Sequence, residues 1–287
     1  LTREHNFSGV FYPKDYGQLN ASIQSFFSLL NSSSEDSKFL QMVNEYIRDK
    51  KILSFIVPHG SYDYSGYVSA FTYYLIDKIE CQNFIILSSD HRGTSPGISV
   101  LEQGTWNTPL GPAQINKTMA HNLIKKSDAG FVEIDSLSFE IDYTIETQLP
   151  FIQVLKKDNF TFLPILQRKQ DKKTCVQLAK VLASIIPQDE KVILLSSTNF
   201  THYLGYEECY AIDKKLISEI SKMDLDSFYD NLKNYFRYVC GYGCVATAIE
   251  FSKLFGNLDV ILLKHLTSGD IDDKKDSVVG YSSILIL

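Results

Sequence analysis

The chain has 287 residues, long enough for a sizeable core, and 44% hydrophobic with 22% charged residues is a globular composition. That excludes a disordered chain, a collagen-like repeat and a coiled coil. A net charge of −6 without a Lys/Arg cluster argues against nucleic acid as a partner, and no apolar run approaches the roughly eighteen residues of a membrane span.

The opening Leu1–Asn6 carries no signal-peptide pattern. Five cysteines, an odd number in a long chain, make no disulfide framework, so the cytoplasm is the expected compartment. After a Ser-rich cap at Ser32–Ser34, Phe39, Leu40, Val43 and Ile47 recur at helical spacing. Ile52–Val57 is the first strong strand; a helix is expected over Val68–Ile79 and a second strand over Phe84–Ser88. A helix over Ala113–Ile124, a strand over Phe160–Ile165, a helix over Cys175–Ile186 and a strand over Val192–Ser196 follow. The pattern continues with a helix over Tyr206–Ile220 and another after Gly243, with Val245, Ile249 and Leu254 facing inward. Val260–Leu263 and Ser277–Leu287 close the chain as strands.

Runs apolar on both faces belong inside a sheet covered on each side. No repeat and no Pro/Gly/Ser-rich linker divides the chain. The expectation is one α/β domain over residues 1–287, with a mostly parallel or mixed central sheet covered by helices on both faces.

Histidines follow three of these strands: Pro58-His59-Gly60 after the first, Asp90-His91-Arg92 after the second, and Thr201-His202-Tyr203 after the third. Ligands of open α/β sheets bind beyond the carboxyl ends of the strands, so parallel neighbouring strands bring these imidazoles to one rim. His5, His121 and His265 lack that setting and read as structural or surface residues. Cys240-Gly241-Tyr242-Gly243-Cys244 precedes a helix, whose dipole favours a thiolate, the form that binds metal. Cys81, Cys175 and Cys209 read as core. Imidazole with thiolate suits zinc, iron or copper, and two His with one Cys leave coordination positions open. His202, if not a ligand, stands nearby as a proton donor or acceptor. No G-x-S-x-G, G-x-G-x-x-G or G-x-x-x-x-G-K-[ST] occurs, which excludes the common hydrolase elbow and nucleotide-binding loops.

Several blocks resemble the Memo family in order: Gly9-Val10-Phe11-Tyr12-Pro13, Pro58-His59-Gly60 through Tyr64-Ser65-Gly66, and Trp106-Asn107-Thr108-Pro109-Leu110-Gly111. Glu146-Thr147-Gln148-Leu149-Pro150-Phe151, Cys240-Gly241 and Ser277-Val278-Val279-Gly280-Tyr281 continue it. The resemblance implies a fold shared with class III extradiol dioxygenases, which bind non-haem Fe(II) with two histidines and a carboxylate. It implies a His59, His91, Cys240 cluster for Fe(II), copper or zinc, and His202 at the position of the dioxygenase catalytic histidine. It also implies a functional link to a radical-SAM enzyme and an AMMECR-type protein; the animal relative is described as a motility effector that binds phosphotyrosine peptides and redox metals.

Two positions depart from the family pattern. Asn199 stands where the family has Asp, and Tyr143 where it has His. Asn199 joins His202 as a candidate catalytic residue, and Asp90, Tyr143, Tyr64 and Ser65 are the groups expected around the ligands and substrate. Asp90 is expected to restore a negative charge beside His91. The first reading is a redox or oxygenase-like enzyme acting on an unknown small molecule. The alternatives are a non-catalytic peptide- or protein-binding module with a degenerate site, and a hydrolase using zinc-bound water.

Overall fold

The computed structural model describes residues 2–187 and 189–287. The chain opens with β1 (Thr2–Arg3), α1 (Tyr16–Ser32), α2 (Ser34–Ile47), β2 (Ile52–Val57), α3 (Tyr62–Lys78) and β3 (Asn83–Ser89). Short elements follow: β4 (Ile98–Val100), β5 (Thr105–Thr108), β6 (Gly111–Ile115), α4 (Lys117–Lys126), β7 (Val132–Ile134) and α5 (Leu137–Glu140). A single 3-10 turn at Glu146–Gln148 leads into α6 (Leu149–Lys156), β8 (Thr161–Gln167), α7 (Lys172–Ile185) and β9 (Val192–Ser197). The last third holds β10 (His202–Leu204), α8 (Tyr206–Ser221), α9 (Leu225–Leu232), α10 (Tyr242–Lys253), β11 (Val260–Thr267), α11 (Gly269–Asp272) and β12 (Val278–Ile286).

The strands form one mixed sheet in the order β1-β5-β6-β8-β3-β9-β2-β12-β10, with β11 also on β12, and β4 on β8 and β7. From β6 to β2 the neighbours are parallel; β12 lies antiparallel to β2. Alternation along the buried strands divides the apolar residues between two cores. Leu53, Phe55 and Val57 join α1, α2, α3 and α6 on one face, while Ile52 and Ile56 join α4 and α7 to α10 on the other. Each such buried side chain contributes roughly 1.5–3 kcal/mol, and both faces supply many of them. The helices therefore cover both faces, as the continuous apolar runs require.

Asp15, Ser33, Asn116, Asp171 and Asp224 cap α1, α2, α4, α7 and α9 through their side-chain oxygens. The expected helix over Ala113–Ile124 is corrected here: Ala113 pairs with Trp106 in the β5–β6 hairpin, and the helix starts only after Asn116. Leu254, expected inward, is the half-exposed C-cap of α10, whereas Val245 and Ile249 are buried. Helix α1, with Leu19, Ile23 and Leu30 inward, is an addition to the sequence reading. Among the described residues no helix is long and apolar enough to cross a membrane.

Candidate metal centre

Strands β3, β9 and β2 are parallel neighbours, so their carboxyl ends share one rim. His59 lies two residues past the end of β2, and His91 two past the end of β3. Their rings approach edge to face, with centroids 5.0 Å apart. Cys240 arrives from the turn before α10. Gly241 follows at φ 58°, and a Cβ there would stand 2.4 Å from Thr198 Oγ1. Only glycine lets the Cys240 turn press this closely on the end of β9.

The ligand atoms of His59, His91 and Cys240 lie within 4.8 Å of one another, and among the described residues no other three His, Cys, Asp or Glu side chains do so. His59 Nε2 is 3.4 Å from Cys240 Sγ. Its Nδ1 lies 3.2 Å from Ser197 Oγ. Ser197 spends its only proton on the Thr144 carbonyl (2.8 Å) and accepts from Gln148 Nε2 (3.0 Å), so it meets His59 as an acceptor. The proton is thereby fixed on Nδ1, and Nε2 offers its lone pair to the cluster. His91 repeats the arrangement, with Nδ1 2.9 Å from the Ser89 carbonyl. Such outer partners orient metal-binding imidazoles and set their tautomer.

Charge and burial favour the ligating forms. Burial pushes His59 down to about 4, against the opposing pull of Asp142, so the ring is neutral near pH 7. Burial would raise the Cys240 thiol, but the hydrogen bond and charge of His91, the charge of His202 and the Thr198 hydroxyl bring it down to about 7. Its sulfur also accepts the Asn199 N–H at 3.2 Å. His59 is buried, Cys240 half-buried and His91 exposed, so the cluster opens to solvent on one side. The donor set, two imidazoles and a readily ionised thiol, fits a first-row transition metal.

The remaining expected residues separate by where their polar atoms go. His202 does not cap β9; it begins β10, paired with Val279 of β12, and lies outside the three-ligand group. Its Nδ1 is 2.8 Å from the Tyr238 carbonyl. Asn199 turns its amide oxygen to the His59 N–H (2.9 Å), which makes it a support for the first ligand arm. Tyr143 stacks on Phe11 (4.1 Å) and stands 5.8 and 5.6 Å from the His59 and His91 rings. Burial, then the charges of Cys240 and Asp142, raise its phenol, which stays protonated.

Asp90 supplies no charge to the cluster's interior: its carboxylate accepts the N–H groups of Arg92, Gly93 and Ser95. Burial would raise it, yet those bonds hold it below the ordinary carboxylate range. Ser65 donates to the Gly60 and Ser61 carbonyls inside its own helix turn, and Tyr64 to Asp272. Neither contacts the ligands through its hydroxyl.

Sequence reasoning missed Ser197, Gln148 and Asp142. The last is buried and pushed up to about 6 by that burial, against bonds from Ile145 and Thr144 and the charge of His59. Cys244, the other cysteine of its motif, is buried in α10 and its thiol is raised by that burial. Cavity size does not mark this place: a space of about 660 Å³ lies at the opposite rim, beside Asn83, Thr161 and Glu190.

A family model described as "Memo-like protein" matches residues 3–285. The chain is 32% identical over 289 residues to a MEMO1 family protein of Thermoplasma volcanium, covering 99% of this chain and 98% of that protein. Identity is 34% over 241 residues with a MEMO1 family protein of Methanosarcina mazei, covering 84% and 88%. Among solved structures, an uncharacterized protein of Escherichia coli K12 shares the fold with a TM-score of 0.58 and 13% identity, over 82% of this chain and 99% of that one.

Proposed function

The chain belongs to the Memo-like protein family, and on that premise we propose that it is a metal-dependent enzyme, with His59, His91 and Cys240 as ligands and a small-molecule substrate at the same rim. The observation that carries this reading is the meeting of two imidazoles with one thiol, each imidazole already bonded through Nδ1. Bound there, iron, copper or zinc would supply Lewis-acid or redox chemistry.

The protein's own groups have separable tasks in this reading. Asn199 and Ser197 hold His59 from its backbone and its ring. His202, with Nδ1 occupied by the Tyr238 carbonyl, has Nε2 left to take or return a proton. Tyr143, protonated and beside both histidines, serves as a hydrogen-bond donor to substrate. The exposed side at His91 admits substrate and water. Five free thiols support a reducing compartment, the cytoplasm. A radical-SAM enzyme and an AMMECR-type protein belong to the same proposal as functional partners.

Elemental analysis of protein isolated without chelators, followed by anaerobic reconstitution with Fe(II) or Zn(II), tests it. The redox form expects oxygen-dependent turnover of a catechol-like substrate with iron alone. Equal turnover with zinc under anaerobic conditions favours hydrolysis instead. Protein isolated free of metal that takes up none of added Fe(II), copper or zinc overturns the proposal.

A further inference from the structure

Beneath the His202 strand lies a second set of buried polar groups that the metal ligands do not use. Asp213, on α8, is fully buried, and its Oδ1 accepts both the N–H (2.9 Å) and the hydroxyl (2.5 Å) of Thr201. Cys209 Sγ donates toward Oδ2 at 3.6 Å, and His265 Nε2, from β11, lies 3.4 Å from that oxygen. Gly280 makes room for the carboxylate: a Cβ there would stand 1.8 Å from Oδ2.

His265 Nδ1 meets the Tyr281 carbonyl at 3.1 Å and the Ser282 hydroxyl at 2.8 Å. A carbonyl only accepts. If Nδ1 holds a proton for it, Nε2 turns its lone pair to the Asp213 side. If Ser282 donates to Nδ1 instead, Nε2 carries the proton beside the carboxylate but off hydrogen-bond geometry. In either arrangement His265 Nε2 packs against Asp213 Oδ2 at 3.4 Å by charge and proximity, without a hydrogen bond.

Thr201 carries this anchorage to the site. Its carbonyl accepts the Gly280 N–H (2.8 Å), Phe200 N–H donates to the Gly280 carbonyl (2.9 Å), and Thr201 forms an isolated antiparallel bridge with Val239. His202 follows Thr201, and Cys240 follows Val239. Two arms of the site thus meet at one bridge, and Asp213 holds one side of that bridge by two hydrogen bonds.

We propose that Asp213 and His265 are a positioning pair that fixes the Thr201–Val239 bridge and, through it, the placement of His202 and Cys240. The metal readout below rests on the metal-centre reading; the exchange readout does not. In full-length Asp213→Asn, Co(II) affinity is expected to fall about 10–100-fold and the thiolate-to-cobalt absorption to weaken, with far-UV circular dichroism unchanged. Amide hydrogen exchange should quicken at Phe200–His202 and Val239–Cys240 while β2 and β3 stay protected. Should Asp213→Asn not fold, Thr201→Val removes a single hydroxyl bond and is expected to shift both readouts less in the same direction. Wild-type cobalt affinity with unaltered exchange in a folded variant overturns the pair. Wild-type protein that takes up no cobalt overturns the metal centre, and local exchange alone then decides for or against the pair.

Discussion

Two polar clusters flank the Asp142–Tyr143 turn, and they use their hydrogen-bonding groups in opposite ways. In the first, Arg3 is buried over the Trp106 ring (3.9 Å) and bonds to Glu146 and to the carbonyls of Glu4, Phe139 and Asp142. Glu146 also accepts from Tyr12 (2.6 Å), Phe7 N–H (2.9 Å) and Asn6 N–H (3.2 Å). This pairing ties the N-terminal segment to the loop that bears Tyr143. In the second, each imidazole has one nitrogen bonded to the protein and one turned to a common point with Cys240. Buried polarity by itself marks no site; donors left unspent and converging do.

Glu146→Ala should break the first cluster hardest, because it strands the Arg3 charge without its partner. A loss of about 3–5 kcal/mol in urea unfolding is expected, with zinc affinity unchanged in the folded fraction. A parallel loss of affinity would mean the clusters are not separable. Conversely, Cys240→Ser should leave unfolding within about 0.5 kcal/mol of wild type, since that side chain is half-buried. Its zinc affinity should fall more than about 100-fold in competition with a chelator, or roughly 2.7 kcal/mol. Unequal burdens of this kind are what the comparison requires.

Zinc at about 100 times its wild-type dissociation constant should stabilise wild-type protein by roughly 2.7 kcal/mol, read as a raised midpoint, and Cys240→Ser by less than about 0.4 kcal/mol. Next in size is Ser197→Ala, which removes the acceptor at His59 Nδ1 and should cost about 10–100-fold in zinc affinity. The smallest effect belongs to Ser65→Ala: its hydroxyl bonds only to its own helix turn, so under about 0.5 kcal/mol of stability and no affinity should be lost. A large affinity loss there would return Ser65 to the site.

The α/β fold was legible because β2, β3 and β9 are apolar on both faces and each is followed by small or polar residues. The same pattern placed His59 and His91 at one rim. Less was legible where a short polar side chain could turn either way. Asp90 stands next to His91 in the chain, yet three backbone N–H groups of its own loop claim it. Asn199 and Ser197 turn to His59 from a different strand end, and Arg3 finds Glu146 across 143 positions. Such pairings depend on tertiary packing and leave no periodic trace. Ala113 and Ile115 misled for another reason, since two apolar residues ahead of a helix match its stripe while belonging to a hairpin.

X-ray absorption at the zinc edge of the reconstituted protein tests the central claim most directly. The account predicts one sulfur near about 2.3 Å and two imidazole nitrogens near about 2.0–2.1 Å, with the sulfur lost in Cys240→Ser. A wild-type shell of nitrogen and oxygen alone, identical in the variant, would contradict it.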